Sequence, residues 1–220
     1  MYRKVKILWL KKQQVDVGFT LLEILISLAI SGFLLIGVFA SFDSQNQSYI
    51  DQQQVAAMQQ NSRAALYHLT QDIHRAGYHL PLIKDTGFQT ATATSFRFAY
   101  FDIDSEAIET ITYQLYDAYS DGDFDLGKRI NNGVIMPVAE HIEQIEFFYT
   151  LADGTQTTSP TNLNRIVAID VSILARTEKE NRQMQFGTSF RTASGDTWTN
   201  QDGFRRRFLS SRIQCRNRET

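Results

Sequence analysis

Two patterns of apolar positions follow one another along the chain, the first with a helical period and the second with strict alternation. The first pattern opens with residues 24–42, nineteen residues that include three serines and two glycines but no charged side chain. A helix of that length reaches roughly 28 Å, which is close to the hydrocarbon thickness of a bilayer. The pattern therefore predicts a membrane-spanning helix near the N-terminus.

The helical period continues beyond this segment. No proline occurs before Pro81, and apolar residues recur three and four positions apart. The members of this stripe are Val55, Met58, Ala65, Leu66, Leu69, Ile73 and Ala76. Gly77 suits a helix stop. We expect one helix over residues 19–76, whose stripe packs either on the protein's own sheet or on a helix of another chain.

After residue 80 the apolar positions alternate, as in half-buried strands. Residues 95–101 and 110–116 predict a hairpin, with its turn at residues 102–109. Three more strands are predicted at residues 142–149, 165–176 and 206–216. The expected fold class is α+β, with a long N-terminal helix packed on an antiparallel β-sheet head.

The chain ahead of the apolar segment has the charge of a cytoplasmic leader. Residues 1–18 contain five basic residues and one acid, so we expect the N-terminus to stay in the cytoplasm while the rest crosses outward. A secretory signal would have its cleavage site after the apolar core. Here the sequence Gly18-Phe-Thr-Leu-Leu-Glu23 stands before that core, so a cut there would leave the anchor on the mature protein.

This six-residue sequence resembles the cleavage and methylation motif of type IV prepilins and of type II secretion pseudopilins. The resemblance implies cleavage after Gly18 by a prepilin peptidase and N-methylation of Phe19. Val17 stands where a basic residue is common, and the leader is long. The resemblance also implies that Glu23 pairs with the amine of Phe19 in a neighbouring subunit, since membrane carboxylates usually face a partner. The alternative is that Glu23 lies at the cytoplasmic interface.

A second stretch, residues 61–78, resembles the end of the first helix in PilW-type minor pilins. The matching residues are Arg63, Ala65, Leu66, Leu69, Asp72, Ile73, Arg75, Ala76, Gly77 and Tyr78. Asp72 and Arg75 are three residues apart and could pair on the exposed helix face, but such a pair contributes little, so we expect Arg75 to meet the final helix carbonyls instead. The predicted division is a leader at 1–18, a membrane half of the helix at 19–43, an amphipathic half at 44–80 and a head at 81–220.

The resemblance implies a minor pilin of the PilW type that primes assembly of a type IV pilus and joins it, with a place at the tip. Its expected partners are other minor and major pilins, the prepilin peptidase, the inner-membrane assembly platform and membrane lipid. It would be stored in the inner membrane with a periplasmic head and then displayed in the pilus. The alternatives are a minor, J-like pseudopilin of type II secretion and a membrane-anchored head for adhesion or DNA binding.

Charge and composition narrow the remaining chemistry. Without residues 1–18 the chain has 17 Lys and Arg against 23 Asp and Glu, a net charge near −6, so nucleic acid is an unexpected partner. Cys215 is the only cysteine, which excludes an intramolecular disulfide. Motifs of nucleophilic or phosphate-transfer enzymes are missing from the sequence, and we predict no enzymatic activity.

Two further groups of charged residues are candidate sites. Asp121, Asp123 and Asp125 alternate as in the first part of a calcium loop, although the glycine falls at loop position seven instead of six and Asn132 replaces the bidentate glutamate of position twelve. The alternative is a solvated acidic turn. The last predicted strand and the residues after it place four arginines on one face, which we interpret as a solvated face or subunit contact, with phosphate or DNA binding as the alternative. These arginines are Arg206, Arg212, Arg216 and Arg218.

Overall fold

The structure is a computed structural model that describes residues 18–78, 86–181 and 184–217. The predicted helix is confirmed as α1, Leu21–Arg75, which has 55 residues. Gly77 follows it with a φ of 77°, the left-handed conformation that ends many helices and favours glycine. The strands are β1 Gly87–Ala91, β2 Ser95–Asp102, β3 Ala107–Tyr116, β4 Asp125–Ile130, β5 Met136–Ala139, β6 Ile142–Leu151, β7 Gln156–Thr157, β8 Ile166–Arg176, β9 Phe186–Arg191, β10 Thr197–Asp202 and β11 Arg206–Gln214.

The chain divides into two compact units, Met1–Tyr49 and Ile50–Thr220. In the first unit the described residues beyond Thr20 are helical, and α1 there contains a stretch long and apolar enough to cross a membrane. None of that stretch is buried against the protein. The chain thus has a helix that could anchor it in a membrane.

The second unit contains the rest of α1 and three antiparallel sheets. Sheet A has the order β1-β2-β3-β4-β5, sheet B has the order β11-β8-β6-β7, and β9 and β10 form a separate hairpin. The predicted hairpin is confirmed as β2 and β3, which pair from Ser95 opposite Gln114 to Asp102 opposite Ala107. A short 3₁₀ helix, Leu163–Arg165, precedes β8.

The core of the second unit lies between the helix stripe and the two larger sheets. Ala65, Leu69 and Ile73 are completely buried in one cluster with side chains of sheets A and B. The two sheets meet where Phe96 of β2 packs edge-on against Phe147 of β6, with 4.7 Å between ring centres. The stripe therefore packs on the protein's own sheets, which is the first of the two alternatives that its period allowed.

The sequence did not predict six of the strands, namely β1, β4, β5, β7, β9 and β10. They are short or mostly polar. β10, for example, has Trp198 as its only large apolar residue, and β4 is interrupted by Gly127. Such segments contain too few alternating apolar positions to be identified as strands from sequence.

Asp72 and Arg75 form the pair that their spacing allows, at 4.0 Å, but not on an exposed helix face. Asp72 is 4% exposed and lies on the buried side of α1. Its Oδ2 lies 2.6 Å from Lys128 Nζ and accepts a hydrogen bond from the Tyr113 hydroxyl at 2.5 Å. Arg75 pairs more closely with Asp102, at 3.3 Å. Because Asp72 is three residues beyond Leu69, it shares the face that packs on sheet A.

Candidate functional site

The predicted cleavage point lies in exposed, non-helical backbone. Gly18, Phe19 and Thr20 are all exposed and precede the first helical residue, Leu21. A side chain built at Gly18 would meet nothing within 4 Å. The peptide bond between Gly18 and Phe19 is therefore outside the hydrogen-bonded helix, where a protease could bind an extended chain.

Glu23 closes a capping box at the start of α1. The Thr20 hydroxyl accepts a hydrogen bond from the Glu23 N–H at 3.2 Å. In return, Glu23 Oε2 accepts the Thr20 N–H and the Thr20 hydroxyl, both at 3.0 Å. Sequence reasoning overlooked Thr20, although threonine followed three residues later by glutamate is the signature of this cap.

The cap uses one of the two oxygens of the Glu23 carboxylate. Both hydrogen bonds end on Oε2, and among the described residues Oε1 accepts none. The carboxylate also lies in the first turn, where the helix dipole favours a negative charge. Phe19 is one residue ahead of the cap, so the structure keeps the two predicted assembly residues, Phe19 and Glu23, at the same end of α1.

The helix behind this cap presents large apolar side chains on all sides. Phe19 is 85% exposed and Phe33 is 78% exposed. Thirteen further large apolar residues between Leu21 and Phe42 are also exposed. The polar groups within the segment are satisfied locally where serine occurs, since the Ser31 hydroxyl donates to the Ser27 carbonyl at 2.7 Å. Such a surface suits lipid or other apolar helices rather than water.

The three aspartates of the candidate calcium loop do not form a common site. Asp121 is exposed, and its Oδ1 accepts the N–H of Asp123 at 2.9 Å. Asp123 is buried and pairs with Arg176 at 2.8 Å and with the ring of His141. Its carboxylate is thereby committed to side chains of the protein itself.

Asp125 also makes its hydrogen bonds within the protein. It is 3% exposed and accepts the N–H groups of His141 at 3.1 Å and Ala118 at 3.3 Å. Burial raises the pKa of Asp125 above its usual value, and these two N–H groups oppose the change. Within the described ranges, no three His, Cys, Asp or Glu residues are placed to hold a metal ion. The solvated-turn alternative therefore fits Asp121, whereas Asp123 and Asp125 are structural.

Two of the four arginines on the basic face of the last strand are paired with acids, and the interpretation as a solvated surface is wrong for Arg206. Arg206 has a side chain that is 1% exposed, held between Glu143 at 2.6 Å and Asp202 at 2.6 Å. Arg212 pairs with Asp170 at 3.4 Å. Arg216 is exposed, and Arg218 lies outside the described residues. Arg206 is thus unavailable to phosphate, and Asp170 places a negative charge beside Arg212, which weakens the DNA-binding alternative.

Replacing Arg206 with methionine is expected to cost the head about 2–3 kcal/mol, between the values typical of exposed and buried ion pairs. Hydrogen bonds from Arg206 hold the pKa of Asp202 below its usual range. A carboxylate of this kind stabilises the fold above the pKa of about 4 that it has when unfolded, and the benefit disappears as pH falls through the lower folded pKa. Thermal unfolding at a series of pH values should therefore show the variant approaching the wild type below pH ~4. A constant difference would contradict the assignment.

Comparison of the chain with protein-family models, with curated proteins and with solved structures found no match.

Proposed function

We propose that this chain is a minor pilin of the PilW type, stored in the inner membrane and built into a type IV pilus after processing. The observation that carries the proposal is the exposed Gly18–Phe19 bond directly ahead of a capped, apolar and uncovered helix. The α+β head on the second half of the same helix fits the proposal. Residues 61–78, with their PilW-type pattern, favour a pilus over type II secretion.

The proposed mechanism uses both ends of the capped turn. Cleavage after Gly18 would convert the Phe19 amide into an amine that carries a positive charge. The uncommitted Oε1 of Glu23 would accept that amine from a neighbouring subunit while Oε2 keeps the cap intact. Pairing removes two charges from a low-dielectric filament core and aligns neighbouring helices along the axis.

Substitutions of Glu23 and Thr20 separate the charge from the cap. Glutamine at position 23 can still close a capping box but has no charge, whereas Thr20→Val keeps the charge and removes the hydroxyl. We expect Glu23→Gln and Glu23→Ala to reduce incorporation into filaments by roughly tenfold or more, the effect of 1.4 kcal/mol. Thr20→Val should assemble close to normally. The measurement is the amount of the chain in sheared filaments relative to the amount in membranes.

Normal assembly of Glu23→Gln would contradict the pairing and leave Glu23 as a capping residue alone. Loss of all variants from the membrane fraction would place the defect in insertion instead of assembly. Recovery of the wild type solely in filaments of a secretin-dependent export system would assign the chain to type II secretion.

A further inference from the structure

Sheet A has one face toward α1 and one face away from it. On the inner face, Tyr113 and Lys128 both reach Asp72 of the helix. Because side chains alternate along a strand, their neighbours Thr112 and Arg129 are on the outer face. Arg97 is opposite Thr112 on β2 and belongs to the same face, where one of its nitrogens donates to Thr110 Oγ1 at 3.2 Å.

The strand register places these residues in one line across the outer face. Thr90 of β1 is opposite Arg97, Arg97 is opposite Thr112, and Thr112 is opposite Arg129. We call this line of Thr90, Arg97, Thr112 and Arg129 the arginine row. Its two arginines are two strands apart, so their Cα atoms are separated by about 10 Å.

Both arginines lack an acid. Among the residues that the structure describes, neither Arg97 nor Arg129 forms an ion pair, whereas Arg206 has two. The Nε atoms of Arg97 and Arg129 are shielded from solvent and have no acceptor within the described ranges. The two positive charges have no acid among the described residues, which favours an anionic partner. Because each Nε is shielded, that partner would contact the remaining guanidinium nitrogens.

The chemistry of the row identifies the missing acceptor. Each guanidinium presents parallel N–H groups that match the two oxygens of a carboxylate. The threonine hydroxyls between and beside them can exchange hydrogen bonds with peptide groups. A polyanion fits less well, because the chain from residue 19 onward has a net charge near −6 and would repel a continuous run of phosphates.

We propose that the arginine row is a docking surface for an acidic segment of a partner protein, with one carboxylate at each arginine. In a filament, this would be the face of the head that receives a neighbouring subunit. The surface does not depend on the proposed pilin function, because it follows from the register of sheet A alone.

The first test is direct binding to the full-length chain in detergent micelles, labelled with ¹⁵N-arginine. The probe is an acetylated and amidated peptide with glutamate at alternate positions, and the control is the same peptide with glutamine. The glutamate peptide should shift the Nε–H signals of Arg97 and Arg129 and bind at least ~10-fold more tightly than the control. Arg97→Lys and Arg129→Lys should each weaken it by roughly tenfold, while Arg212→Lys, a change at an arginine paired within the chain, should not.

A second measurement separates docking from a structural role. Without peptide, Arg129→Met should raise the thermal midpoint by about 2–4 °C, because the change removes a shielded donor that has no acceptor. Arg206→Met, at a fully paired arginine, should lower the midpoint. A lowered midpoint in Arg129→Met would overturn the proposal.

The binding experiment also has outcomes that overturn the proposal. Equal affinity for the two peptides, or no binding of either at millimolar concentration, would exclude a carboxylate partner. A single-stranded oligonucleotide that shifts the two signals when the glutamate peptide does not would reassign the row to nucleic acid.

Discussion

In cells that carry a prepilin peptidase, the chain is expected to begin at Phe19 and to carry one added methyl group, and Gly18→Ala is expected to keep all 220 residues. A side chain at Gly18 meets nothing within 4 Å, so alanine does not disturb this part of the chain. Gly18 does not have a positive φ, so alanine can adopt its backbone conformation. Any block must therefore arise in the peptidase pocket, and the intact mass of protein extracted from membranes measures it.

The matched control for this change is Gly32→Ala, at a glycine within α1 that, like Gly18, has open space around it. That variant should be cleaved like the wild type. A mature mass from Gly18→Ala would show that the peptidase tolerates a larger residue. An uncut wild type would mean that the six-residue motif is not a processing site, and the chain would then be an anchored head with another role.

Replacing Asp72 with alanine is expected to destabilise the head by about 3–5 kcal/mol, the usual cost of removing one partner of a buried ion pair. The change leaves the Lys128 ammonium without its acid and the Tyr113 hydroxyl without its acceptor. Burial together with the Asp72 charge raises the pKa of Tyr113, so its hydroxyl stays a neutral donor. Unfolding of the full-length chain in detergent, followed by the fluorescence of Trp198, measures the loss.

Two variants serve as controls for Asp72. Arg165→Ala removes an exposed pair with Asp153, 3.3 Å long, and should cost less than about 1 kcal/mol. The double variant Asp72→Leu with Lys128→Met should recover most of the stability, because it removes both charges and keeps the volume filled. If Asp72→Ala costs no more than Arg165→Ala, the carboxylate is not the buried link between α1 and sheet A.

The elements that sequence alone predicted are those with strong local signals. The helix period, the alternation in β2, β3, β6, β8 and β11, and the glycine after α1 are readable within a few residues of one another. The processing motif is likewise contiguous, and its Thr20–Glu23 cap is formed by residues three apart. Contacts of this kind need no tertiary structure to bring their members together.

The partners of the charged residues were decided by tertiary structure. Tyr113 is 41 residues from Asp72, Arg176 is 53 residues from Asp123, and Arg206 is 63 residues from Glu143. From local spacing, the sequence allowed Arg75 as the partner of Asp72. It predicted solvent or calcium as the partner of Asp123. Which acid meets which base depends on strand register and on how the helix packs, because a shift of one residue moves a side chain to the opposite face. The sequence by itself therefore determined the helix, its motif and the principal strands. The fold decided which charges are buried in pairs and which two arginines of sheet A have no acid among the residues that the structure describes.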